Sequence, residues 1–113
     1  MRLLSIDHVS FNVADRAASL DWYASVLDLR RPTRRLGPPD EPTFLGPAGS
    51  RVALFGDRSP GLRHVALRTD RAAQLLVVAR LDSLGIPYVE EAHRDHQSVY
   101  VKDPDGATLE VMT

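Results

Sequence analysis

Ser98-Val99-Tyr100-Val101-Lys102-Asp103-Pro104-Asp105-Gly106-Ala107-Thr108-Leu109-Glu110 is the stretch from which the fold is read. Ser98 to Val101 alternates polar and apolar residues, Asp103-Pro104-Asp105-Gly106 carries turn chemistry, and the alternation resumes from Ala107 to Met112. That pattern predicts two antiparallel strands joined by a tight turn. Because side chains alternate along a strand, Thr108, Glu110 and Met112 share one face, while Leu109 and Val111 share the other. Ser98 and Tyr100 separate in the same way from Val99 and Val101. A carboxylate and a phenol therefore project from the less apolar face of the hairpin.

An earlier stretch has the same form. Thr43-Phe44-Leu45, the turn Gly46-Pro47-Ala48-Gly49 and Arg51 to Phe55 predict another hairpin. Working outward, the whole chain reads as two halves. Ile6 to Val13 is a strand, with Asp7, Val9, Phe11 and Val13 expected toward the core and His8, Ser10 and Asn12 opposite. Asp15 stands at a helix N-cap, and Ala17, Ala18, Leu20, Trp22, Tyr23, Val26 and Leu27 follow at helical spacing, with Trp22 and Tyr23 read as core. A weaker strand is expected over Leu29 to Arg35, confined to an edge or bulge by Pro32. Leu36 to Pro42 is a loop. After the polar linker Gly56 to Gly61 the order begins again: a strand over Leu62 to Arg68, a helix over Asp70 to Leu84 closed by Gly85, and a strand over Ile86 to Glu91. His8-Val9-Ser10 overlays His64-Val65-Ala66, and Asp15-Arg16-Ala17-Ala18-Ser19-Leu20 overlays Asp70-Arg71-Ala72-Ala73-Gln74-Leu75. Pro47 and Gly49 overlay Pro104 and Gly106, and all these pairs are 55 to 57 residues apart. Each half reads β-α-β-β-β, so the chain is a duplicated unit too small to bury its own face alone. The expected organisation is one domain over residues 1–113, with modules at 1–57 and 58–113.

Composition narrows the function. A net charge of −1 gives no global reason for nucleic acid or an anionic membrane as partner. No apolar run approaches the ~20 residues of a membrane span, and Met1 to Asp7 is interrupted too soon for a secretory signal, so a cytoplasmic location is expected. Cysteine is absent, which excludes thiolate chemistry from the chain itself. The one lysine, Lys102, leaves Schiff-base schemes little to work with.

The paired β-α-β-β-β modules, the His early in each first strand, Trp22-Tyr23, Val26-Leu27-Asp28-Leu29 and the terminal Asp-Pro-Asp-Gly-Ala-Thr-Leu-Glu resemble the vicinal oxygen chelate superfamily. That group holds glyoxalase I, bleomycin- and fosfomycin-resistance proteins and extradiol ring-cleavage dioxygenases. The resemblance covers essentially the whole chain. It implies an α+β fold in which two β-α-β-β-β modules form a cupped mixed sheet around a metal cavity. It also implies a homodimer, since short strands leave edges and a concave face that pairing covers. His8 and His64 match the family's metal positions, and so does Glu110, whose counterpart in the first half is Ala53. Two imidazoles and a carboxylate suit one divalent ion with positions left open for a reactant. Iron(II) is favoured, and Mn2+, Zn2+, Ni2+ and Co2+ are also compatible with these ligands.

Ala53 separates the reactions. Glyoxalase I and methylmalonyl-CoA epimerase use a fourth protein ligand there, so its loss argues against both. His93, Val99-Tyr100, Asp103-Pro104-Asp105-Gly106 and Glu110 resemble the signature of extradiol dioxygenases, which implies that His93 and Tyr100 hydrogen-bond bound substrate. A fosfomycin-type thiol transferase ranks lower: Ser10 stands where those enzymes have Thr, but Glu90 and Arg94 replace their Lys and Ser. A non-catalytic resistance protein that holds a drug-like ligand is the alternative from another class. Either way the partner is a small molecule. Arg51 and Arg68, on faces shared with Ala53 and His64, could meet an anionic substrate, with solvated strand ends the favoured reading. Ser10, Ala53, Phe55, Ser98 and Met112 line the inward face. His96, beside Asp95, reads as an exposed loop residue, and Arg30, Arg31, Arg34 and Arg35 as charges protecting an edge strand.

Overall fold

In the computed structural model, residues 5–30, 32, 35–47 and 49–113 are described. They form β1 (Ser5–Asn12), α1 (Arg16–Leu27), β2 (Thr43–Leu45), β3 (Arg51–Phe55), β4 (Gly61–Arg68), α2 (Arg71–Leu84), β5 (Tyr88–Ala92), β6 (Gln97–Lys102) and β7 (Thr108–Met112). Two helices and a mixture of parallel and antiparallel strands make this an α+β chain. It divides into two compact units, residues 7–63 and residues 64–113 with Ser5 and Ile6.

In the first unit β3 lies between β2, antiparallel, and β1, parallel. Asp15 caps α1 by accepting the Ala18 N–H at 3.1 Å, which satisfies one of the helix's unpaired donors. Asp28 ends it in the left-handed region (φ 54°), a conformation that Asp tolerates better than most residues. Leu20, Leu45 and Leu54 form the core, with Phe11, Val13, Tyr23, Leu29 and Val52 packed against them. Trp22, expected in the core, is 54% exposed: α1 turns Leu20 and Tyr23 inward, and the indole meets the edge of Tyr23, with ring centroids 5.1 Å apart. The weak strand expected over Leu29 to Arg35 does not form at Leu29, Arg30, Pro32 or Arg35, and Arg31, Thr33 and Arg34 lie outside the described residues. Pro32 has no N–H for a ladder. The described elements of this half are therefore β-α-β-β.

The second unit has the expected β-α-β-β-β order, with strands arranged β4-β7-β6-β5. Asp70 caps α2 by accepting the Ala73 N–H at 2.7 Å, and Gly85 closes it at φ 66°. The β6–β7 turn is built by Asp103, whose Oδ1 accepts from the N–H of Asp105 (2.9 Å) and of Ala107 (2.8 Å). Gly106 sits at φ 89°, where a Cβ would be strained. The core is Leu81, Val99 and Val111, with Val77, Val78, Tyr88 and Val101 against it. Gln74, fully buried on α2, donates to Gln97 O and Val111 O at 2.9 Å each, locking the helix onto β6 and β7.

The inner faces of both units carry the polar residues. His8, Ser10 and Asn12 of β1 are at most 7% exposed, while Val9 and Phe11 are only partly buried. The face read as opposite the core is thus the more deeply covered one.

Candidate functional site

Register explains which side chains meet. In the second unit Ala66 pairs with Glu110, and Tyr100 lies across from Glu110 on β6, with Ser98 opposite Met112. The hairpin face read from the sequence is therefore real: Ser98, Tyr100, Glu110 and Met112 stand together, and His64 joins them from β4. His64 Nε2 lies 3.1 Å from Glu110 Oε1, and both residues are buried. The other oxygen, Oε2, accepts from Ser98 Oγ at 2.6 Å and from the Tyr100 hydroxyl at 3.3 Å. His93 Nε2 is 3.3 Å from the same hydroxyl. His64 also meets the Tyr100 ring edge-on, with centroids 6.0 Å apart. Burial, then the Glu110 charge, then that of Glu91 push the Tyr100 phenol well above its ordinary range. The phenol stays protonated at neutral pH and acts as a donor.

The first unit repeats this plan with different residues. Ser10 pairs with Ala53 where the second unit pairs Ala66 with Glu110, and Phe44 lies across from Ala53 where Tyr100 lies across from Glu110. His8 meets the Phe44 ring edge-on at 5.2 Å, as His64 meets Tyr100. With Ala at the carboxylate position, His8 is held from another side. Its Nδ1 donates to Asp7 Oδ2 at 2.6 Å, and Arg51 donates to the same oxygen at 2.8 Å. The Arg51 guanidinium also stacks on Phe44, 4.7 Å from the ring centroid. Arg51 is therefore no solvated strand end: its Nε is buried with no hydrogen-bond partner among the described residues. Phe55 is buried beneath the guanidinium of Arg63, 3.7 Å from the ring centroid. A groove of about 310 Å³ opens beside Phe44, lined by Pro32, Arg35, Gly37, Glu41, Pro42 and Thr43. Arg68, the other arginine read as a substrate contact, donates to Thr113 O at 3.1 Å.

Three residues matter more in the structure than the sequence suggests. Asp7 falls on the apolar face by strict alternation, although a carboxylate next to His8 is the available clue. Phe44 bears no polar group to draw notice, although it is 56 residues before Tyr100, the spacing of the repeat. His96, expected as an exposed loop residue, places its Nε2 3.9 Å from Glu110 Oε2, and its ring stacks on His93 with centroids 4.4 Å apart.

Strand order, repeat and inner-face residues define the class, an α+β protein of two related units. The family model for the Glyoxalase/Bleomycin resistance protein/Dioxygenase superfamily matches residues 5–111, and the chain belongs to that superfamily. Among solved structures it is similar to methylmalonyl-CoA epimerase from Mycobacterium tuberculosis, at 19% identity and TM-score 0.76, covering 97% of this chain and 87% of that one. A Streptomyces coelicolor methylmalonyl-CoA epimerase variant in complex with 2-nitronate-propionyl-CoA gives 17% identity and TM-score 0.75, covering 99% of this chain and 98% of that one. A catechol 2,3-dioxygenase gives 18% identity and TM-score 0.81, covering 97% of this chain but 39% of the dioxygenase. These likenesses establish the fold. Among curated protein sequences none matches this chain.

Proposed function

We propose that the protein is a metal-dependent enzyme acting on a small molecule through two adjacent oxygens, most like a small extradiol ring-cleavage dioxygenase. In this reading His8, His64 and Glu110 hold one divalent cation, with Fe2+ favoured. The observation that carries it is the buried His64–Glu110 pair, 3.1 Å apart, backed on the other carboxylate oxygen by Ser98 and Tyr100. The donors fit such an ion. Asp7 engages His8 Nδ1, the arrangement by which carboxylates orient metal-ligating imidazoles and direct coordination to Nε2. When bound, the cation would act as a Lewis acid on the substrate's oxygens.

The chain's own residues supply the rest. Tyr100, held protonated, donates a hydrogen bond to developing negative charge on the substrate, and His93 on its hydroxyl gives and takes protons. The buried Nε of Arg51, unpartnered among the described residues, offers a donor to an anionic group, and Phe44 an apolar wall. Ala53 supports a three-ligand reaction over the four-ligand isomerases. Pairing of two copies in a cytoplasmic homodimer belongs to the same reading.

The test is elemental analysis of the purified protein beside the triple variant His8→Ala/His64→Ala/Glu110→Ala, followed by oxygen uptake with catechols. Near-stoichiometric iron that vanishes in the variant, with catechol-dependent uptake, is expected. Manganese with thiol-dependent epoxide consumption would replace the dioxygenase with the thiol transferase. A ligand retained without metal or turnover would leave a drug-binding protein.

A further inference from the structure

We propose that the turn between β5 and β6 builds a second divalent-cation site, formed by His93, His96 and Glu110. One donor atom from each residue lies within 4.8 Å of the others. All three belong to the second unit, and the site needs neither His8 nor His64. Of the ligands proposed above it shares only Glu110, and it engages His93, which that reading places on the Tyr100 hydroxyl.

Backbone bonds fix the turn that carries both imidazoles. The His93 N–H donates to His96 O at 2.9 Å, closing the four residues between the strands, and the Gln97 N–H donates to Thr113 Oγ1 at 3.1 Å just beyond. The rings stack nearly parallel, 18° apart with centroids 4.4 Å apart, so they must tilt out of the stack for their in-plane nitrogen lone pairs to converge on one ion. His96 Nδ1 donates to Asp95 Oδ1 at 2.7 Å, which turns Nε2 toward Glu110 Oε2, 3.9 Å away. A carboxylate behind one ring nitrogen with the other facing a shared point is how proteins orient imidazole ligands.

Glu110 completes the set because its two oxygens face different neighbours. Oε1 is beside His64, while Oε2 is on the side of His96 and accepts from Ser98 at 2.6 Å and more weakly from Tyr100 at 3.3 Å. A cation at the turn would replace the longer Tyr100 contact and keep that of Ser98. Zinc with nitrogen and oxygen ligands near 2.1 Å requires donors ~3.4 Å apart, closer than the 4.8 Å within which these atoms lie, so the side chains must draw together around the ion. The His93 and His96 side chains, 30% and 22% exposed, leave an entry path. Two imidazoles and one carboxylate suit Zn2+ or another late first-row ion over the oxygen-seeking Mg2+ and Ca2+. With both sites filled, Glu110 would bridge two cations.

Zn2+ titration of the full chain tests this, with zinc counted after equilibrium dialysis and the imidazole nitrogens followed by long-range 1H–15N NMR. The wild type, His93→Asn/His96→Asn and His8→Ala/His64→Ala are compared, with circular dichroism to check folding. Two zinc ions in the wild type and one in each double variant are expected, with the His93 and His96 resonances moving together. One ion kept by His8→Ala/His64→Ala and lost by His93→Asn/His96→Asn would support the turn site and sink the His8 centre. One ion with the opposite pattern, or unmoved His93 and His96 resonances in the wild type, would overturn the turn site. The wild-type spectra decide the question even if a double variant does not fold.

Discussion

Glu110 and Asp7 do similar work in the two units, and comparing them shows what each His depends on. Glu110 is 3% exposed, and a carboxyl so deeply buried needs partners on both oxygens, which His64, Ser98 and Tyr100 supply. His8 has Ala53 where His64 has Glu110, and relies on Asp7, whose one oxygen serves both His8 and Arg51. If His8 ligates a cation, Asp7 sets its tautomer. Asp7→Asn is expected to weaken divalent-metal binding by roughly 10–100-fold while leaving the chain folded. A competition titration against a chromophoric chelator reads that directly, and an unchanged affinity would remove Asp7 from the metal's support. The sequence singles out Glu110, His8 and His64 because repeat and resemblance coincide on them. It could not reach Asp7, whose side chain bends from its strand position to its neighbour's ring, a move that alternation does not encode.

Among the elements, both helices were legible because their caps are chemical: Asp15 and Asp70 at the starts, Gly85 at one end. The hairpins were legible from Asp103 to Gly106 and from Gly46 to Gly49. Failure came where a weak apolar pattern met Pro32, and at Trp22, where helical spacing alone does not say which residues face the core. Strand β5 also begins later than expected, at Tyr88, since Pro87 cannot donate to a ladder. Its tie to α2 is the Tyr88 hydroxyl donating to Asp82 Oδ1 at 2.8 Å. That hydrogen bond, followed by burial and the Asp82 and Glu90 charges, raises the Tyr88 phenol above its ordinary value. A raised folded value means that the contribution is fully present below the unfolded value, about 10, and is lost as pH rises through the folded one. The urea midpoint of the wild type should therefore fall more steeply than that of Tyr88→Phe as pH rises above about 10. Equal slopes would show that this bond adds nothing to the edge.

At the scale of the molecule, the duplication was the most legible feature, because two copies of one pattern at a constant spacing carry more information than either alone. Less legible was the burial of the polar face in each unit, since alternation separates two faces without saying which is covered. Apolar surface remains on the outside. Trp22, Val26 and Leu27 of α1 are 54%, 58% and 53% exposed, and Trp22 and Val26, four residues apart, share a side of the helix. Large apolar side chains gathered on one exposed side are characteristic of an association surface. The homodimer proposed here places this side of α1 against a second copy. Sedimentation velocity should then find a dimer at micromolar concentrations, and Trp22→Glu with Val26→Glu should shift it to a monomer with unchanged far-ultraviolet circular dichroism. A dimer that survives the double substitution would move the interface off α1. A wild type that sediments as a monomer at tens of micromolar would end the paired reading.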